Sequence, residues 1–121
     1  GVIARTPLCF GFLSGRVSSE TKFPPGDHRH MWSQKQIETW SEGARQLELA
    51  VPAPNNQSRS QMAIRYCLSH DGVSTVIPGI LTEQEATENA LASEFGPLSE
   101  NELQAVRKIH HCMSYFVRSE S

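Results

Sequence analysis

Apolar positions recur along this chain with two different periods, and each change of period marks an element. In residues 33–51, Ile37, Trp40, Ala44, Leu47 and Val51 return every three or four positions, the spacing of one helical face. Ser33 predicts the N-cap, Gln36 would close a capping box with it, and Pro52 and Pro54 end the helix. After the polar turn Asn55-Asn56-Gln57, a second helix starts at Ser58 or Ser60 and runs to about residue 70. There Met62, Ala63, Ile64, Tyr66, Cys67 and Leu68 cover more than one face, which predicts a helix held between a sheet and an outer layer. The β-branched run at residues 73–77 (VSTVI), bounded by Gly72 and by Pro78-Gly79, predicts a strand buried on both faces, as in parallel sheets. A third helix opens at Thr82, with Glu85 placed for a capping box, and breaks at Gly96-Pro97. The last helix, capped by Ser99 and Glu102, is expected from Glu100 to about Val117, with Leu103, Val106, His110, Met113 and Val117 on its stripe and Ile109 and Phe116 beside it. Residues 2–6 form a second β-prone run, halted at Pro7. Residues 17–31 are polar around Pro24-Pro25-Gly26, an irregular excursion longer than an ordinary connection.

Helix, strand and helix in succession over residues 61–89 make a piece of an α/β protein, and the other segments can be arranged around it. In parallel α/β folds, the loop leaving the carboxyl end of a strand and the helix N-terminus after it form the usual ligand site, because free N–H groups and the helix dipole favour anions. Residues 78–82 are therefore the first place to look for function. The loop of residues 7–16 leaves the other strand; it bears Gly11 and Gly15 but lacks GxGxxG, and taken alone it reads as a turn.

A length of 121 residues amounts to one domain, short of the roughly 250 residues of a closed (β/α)8 barrel. A net charge of -2 and 20% charged residues provide no basic face for nucleic acid and no acidic tail. No apolar run approaches the roughly 18 residues of a membrane span, and no signal-peptide pattern opens the chain. Cys9, Cys67 and Cys112 are widely spaced and without a CxxC pair, which suits reduced thiols in the cytoplasm. Asp27, His28 and His30 lack further ligands at recognisable spacing, and consecutive His110, His111 and Cys112 diverge on a helix, so no metal site is expected.

At Ile77-Pro78-Gly79 and Glu88-Asn89 the chain resembles the aldo-keto reductase family, and Ala63-Ile64-Arg65-Tyr66, Leu68-Ser69 and Gly72-Val73 extend the likeness through the preceding helix and turn. In that family the eighth barrel strand ends in such a loop, and the following helix carries a Glu-Asn pair that holds the adenosine end of NADP(H). Thr6, Pro7, Leu8, Gly11, Leu13, Ser14, Gly15 and Arg16 fall in register on the family's loop after the seventh strand, which wraps the cofactor pyrophosphate. Thr6 keeps the hydroxyl of the family's Ser, and Arg16 stands for its Lys, a charge-assisted phosphate contact. The polar excursion is similar to the variable loop that folds over the cofactor, which makes Arg29 a second phosphate contact or else the salt-bridge partner of Asp27.

The resemblance thus implies an α/β fold class: the C-terminal fragment of a (β/α)8 TIM barrel, mostly helical with two short strands. Residues 1–121 would be one partial reductase domain: strand and pyrophosphate loop to about 16, variable loop 17–32, helices 33–70, strand 73–77, cofactor helix 82–95 and C-terminal helix 99–117. The implied cofactor-binding set is Thr6, Pro7, Leu8, Gly11, Ser14, Arg16, Arg29, Gly79, Leu81, Glu85, Glu88 and Asn89. The implied cofactor is NADP, with NAD admitted by two departures from the family pattern. Leu81 stands where the family commonly places Arg or Ser on the 2′-phosphate, and Glu85 where a Gln lies on the adenine, a contact that Gln84 could take over.

The family reduces aldehydes and ketones, using a Tyr proton donor tuned by Lys and Asp and a His that orients the substrate. All four come from earlier barrel strands, and neither Tyr66 nor Tyr115 can replace the donor. The chain alone is expected to be inactive, with a parent that is an NADP-dependent oxidoreductase. The alternative is a fragment of a cofactor-sensing regulatory barrel similar to the potassium-channel β-subunits. Because residue 1 is Gly and a strand begins at once, an artificial boundary or a cut is expected. Two strands cannot close a barrel, so the partners expected besides the nicotinamide dinucleotide are the missing N-terminal part of the barrel or a second copy, with no nucleic acid and no membrane.

Overall fold

A computed structural model describes residues 1–118. Two strands, β1 (Val2–Arg5) and β2 (Val73–Ile77), pair in parallel, with Ile3 opposite Thr75, Ala4 opposite Val76 and Arg5 opposite Ile77, after an irregularity beside Val2. Parallel pairing requires a crossover, and here it contains two helices, α1 (Gln34–Ala50) and α2 (Arg59–Leu68). Beyond β2 come α3 (Glu83–Leu91), a short 3-10 turn (Ala92–Phe95) and α4 (Glu100–Cys112). The chain is thus mostly helical with two short parallel strands, as its periodicities predict.

Three helices begin where their caps require. Ser33 accepts from the Gln36 amide, Ser58 and Gln61 form a reciprocal capping box, and so do Ser99 and Glu102. The choice between Ser58 and Ser60 falls to Ser58, because Ser60 is buried inside the first turn of α2.

Two apolar clusters hold the helices together. Phe12, Phe23, Ile37 and Ala44 pack with Trp32 and Trp40, whose rings meet edge to face at 4.7 Å. Met62, Leu98 and Leu103 join α2 to α4, with Val51, Ala53 and Tyr66 against them. Arg65 ties the same elements by polar means. Although buried, it donates to the Gly96 and Pro97 carbonyls at 2.8 and 3.0 Å and to the Gln57 amide oxygen at 2.6 Å, so its charge is fully hydrogen-bonded.

Four expectations are corrected. First, β2 is not buried on both faces: Ile77 is 59% exposed, and its neighbours in β1, Val2 and Ile3, are 53% and 62% exposed. A buried parallel strand needs a neighbour on each edge and a layer on each face, and two strands with α2 beside them supply too few. Second, Gln36 closes no capping box; its amide donates to the Tyr115 carbonyl at 2.8 Å and accepts from the Val117 amide at 2.9 Å. Third, α4 stops at Cys112, and Met113 is extended, so Met113 and Val117 leave the stripe and residues 113–117 run back along α1. Gly43 makes room there, since a Cβ on it would lie 2.7 Å from the Tyr115 ring. Fourth, His110 is exposed rather than packed, and it stacks on Tyr115 with ring centroids 5.6 Å apart.

Among the described residues no helix is long and apolar enough to cross a membrane, no group of His, Cys, Asp and Glu could hold a metal ion, and the three cysteines are unpaired. Burial pushes the Cys9 and Cys67 thiols up from their ordinary pKa.

Candidate functional site

Because Arg5 sits opposite Ile77, the loops that follow β1 and β2 leave the sheet side by side. Between them lies an open groove of about 1020 Å³. The first loop lines it with Thr6, Pro7, Leu8, Gly11, Ser14 and Arg16; the long excursion adds Arg29; the second loop and α3 add Gly79, Leu81, Glu85, Glu88 and Asn89. All twelve residues named from the sequence therefore share one cleft at the carboxyl ends of the strands.

The first loop holds its shape at some conformational cost. Thr6, Cys9 and Phe10 have φ of 57°, 47° and 57°, left-handed values that L side chains rarely adopt and that cluster at binding sites. Gly11 follows at 100°, where a Cβ would also press on Val17 at 3.1 Å. The loop is pinned from within: the Ser14 hydroxyl donates to the Gly11 carbonyl at 2.6 Å and accepts from the Arg16 amide at 3.2 Å. Arg29 pins it from outside, donating to the Phe10 carbonyl at 3.0 Å while gripping Asp27 with a shortest ion-pair distance of 2.7 Å and lying over the Phe23 ring. That grip holds the Asp27 carboxyl well below the usual carboxylate range and raises the Arg29 guanidinium.

Arg16 closes the two loops on each other. Its guanidinium pairs with Glu85 and lies 3.8 Å from Glu88, both on α3. Glu85 is doubly held, because its other oxygen accepts from the Leu81 amide at 2.7 Å. The Leu81 amide, opposed by partial burial and assisted by Arg16, lowers the Glu85 pKa. Glu85 thus closes no reciprocal box with Thr82: its backbone amide donates to the Thr82 hydroxyl at 3.1 Å, but its side chain passes Thr82 and takes the preceding amide. Glu88 accepts from the Ser58 hydroxyl at 2.5 Å, which ties α3 to the start of α2. The Asn89 side chain donates to the Gly79 carbonyl at 3.5 Å, and Leu81 is 93% exposed at the groove's edge.

Beyond the twelve, Arg5, Phe10, Val17, His28, Ser60, Ile77 and Ile80 also line the groove. Phe10 offers a flat apolar surface there, 40% exposed and braced edge-on by Trp32 at 4.8 Å and His28 at 5.8 Å. The signal for Phe10 was present in its place between Cys9 and Gly11 of a small-residue loop; for Ser60, inside a helix, no local signal exists. Arg5, Arg16 and Arg29, the last two already paired with Glu85 and Asp27, lie with backbone amides and an aromatic face along one groove, a setting that suits a ligand carrying phosphates and planar rings.

A sequence model described as the Aldo/keto reductase family matches residues 1–111. The chain belongs to this family. Among solved structures, the holo form of aldo-keto reductase AKR11C1 from Bacillus halodurans is similar to it at 23% identity and a TM-score of 0.60, covering 99% of this chain and 36% of that one. The apo form of the same protein gives 24% identity, a TM-score of 0.59 and the same coverage. The likeness to these structures shows the fold: β1, α1, α2, β2, α3 and α4 form part of an aldo-keto reductase (β/α)8 barrel. The chain spans about a third of the length of those two proteins. No curated protein sequence matches it.

Proposed function

We propose that this chain is the C-terminal, cofactor-binding portion of an NAD(P)H-dependent aldo-keto reductase acting on aldehydes or ketones in the cytoplasm. What carries this reading is the meeting of both strand-end loops in one groove, joined across it by Arg16 and Glu85. In this reading the strained loop of residues 6–16 turns its amides and Arg16 to the pyrophosphate of a nicotinamide dinucleotide, while Glu88 and Asn89 meet the adenosine end. The fit is supported by Gly11, whose positive φ and close neighbours leave no room for a side chain, and by three arginines along the lining. When bound, the dinucleotide supplies the hydride that reduces a carbonyl carbon. The residues of this chain hold and orient it; the Tyr, Lys, Asp and His that donate and tune the proton would belong to the rest of the barrel, so the chain alone is inactive.

The ribose end bears on the choice between NADP and NAD. A 2′-phosphate there would meet the Glu85 carboxylate, already seated on the Leu81 amide, and a guanidinium shared between two glutamates. We infer that NADH is accepted at least as well as NADPH. Titration of the chain with each, followed by calorimetry, is expected to saturate in the millimolar range with NADPH no tighter than NADH. No saturation by either up to roughly 10 mM, a free energy below about 3 kcal/mol, would sink the binding assignment. The apolar strand positions Val2, Ile3 and Ile77 support association with the remainder of the barrel or with a second copy.

A further inference from the structure

We propose that the half-open apolar pocket between α1, α2 and α4 is a second ligand site, separate from the groove, for an uncharged molecule built on a single ring. Its volume is about 140 Å³. An engineered apolar cavity of about 150 Å³ takes up benzene, so the pocket has room for one six-membered ring, with one side open to solvent. The walls come from separate elements: Leu47 and Val51 on α1, Met62 and Ala63 on α2, Leu98 ahead of α4 and Val106 within it. Such walls reward shape and desolvation. They offer an anion or cation no compensation for lost hydration, because the two charged side chains present, Glu48 and Arg59, are paired with each other at 3.2 Å. Met62, with its flexible thioether, lets the wall adapt to the ring it meets.

The pocket is independent of the dinucleotide groove in chemistry as well as position. Of its lining only Pro7 also faces the groove, and its polar atoms are not those that would meet phosphates. Tyr66 is half-buried in the lining, so its ring adds an aromatic surface to the aliphatic walls.

The test uses the whole chain with toluene, phenol and benzoate as probes, followed by ligand-detected NMR. Toluene and phenol are expected to saturate, with intermolecular NOEs to the methyl groups of Leu98 and Val106, and benzoate to bind at least tenfold more weakly. Ala63→Leu, which puts an isobutyl group into the space, is expected to weaken toluene at least tenfold while leaving NADH titration unchanged; Ala53→Leu repeats the test from another wall if the first variant does not fold. Benzoate binding as tightly as toluene, NOEs that miss both residues, or no saturation by toluene would overturn the proposal. NADH plays no part in the probe binding, so its success or failure leaves this site untouched.

Discussion

The helical layer and the strand pair of this chain draw on similar residues yet end at opposite extremes of exposure. Phe12 and Ile64, against α1 and within α2, are each 1% exposed, whereas Ile3 and Ile77 in the strands are 62% and 59% exposed. The difference lies in what each element needs from its neighbours. A helix closes its own backbone hydrogen bonds and has one apolar stripe to cover, so α1, α2 and α4 complete one another. A parallel strand has two edges and two faces to cover, and among the described residues neither β1 nor β2 finds a second sheet neighbour. The helices are held by contacts inside the chain; the strands present a surface that fits more barrel.

The sharpest way to break this comparison is to truncate one residue from each side of it. Phe12→Ala is expected to cost about 3–5 kcal/mol in denaturant unfolding, because the cluster with Ile37 and Ala44 cannot close over the lost ring. Ile77→Lys is expected to stay within about 0.5 kcal/mol of the parent while lowering the associated mass seen by chromatography with light scattering. Equal costs for the two would end the distinction. The next effect belongs to Arg65, where Met in its place leaves the Gly96 and Pro97 carbonyls without their donor. A loss of about 1–3 kcal/mol in the same measurement is expected, with retained helical circular dichroism.

The smallest effect concerns the groove. Since the folded pKa of Glu85 is depressed, its contribution to stability is fully present above the ordinary value of 4.5 and is lost as pH falls through the lower folded value. Asp27 and Glu42 are depressed as well, by Arg29 and Arg45, and share the same acid limb. Glu85→Gln is therefore expected to lower the thermal midpoint modestly at neutral pH and to flatten, without abolishing, its decline below pH 4.5, so that parent and variant converge in acid. A variant whose acid limb is as steep as the parent's would show that the bonds of Glu85 to the Leu81 amide and to Arg16 do not stabilise the fold.

What the sequence determined unaided lies within four residues of itself. Ser33, Ser58 and Ser99 read as caps because an N-cap hydroxyl meets an amide three positions on, and both strands read from β-branched runs bounded by Gly or Pro. The twelve groove residues were legible through the family's loop patterns, which carry a memory of spacing that periodicity lacks. Tertiary structure decided the rest. No Gly or Pro stops α4 at Cys112; it stops because Gln36 and Gly43, some seventy positions earlier, offer residues 113–117 hydrogen bonds and a bed that the next helical turn cannot match. Glu85 had a local partner in Thr82 and chose Leu81 and Arg16, because the guanidinium arrives from a loop that only the parallel pairing of β1 with β2 brings near. Local hydrogen bonds are set by chain spacing and survive any fold, whereas these long-range partners exist only once the crossover has placed β1 beside β2.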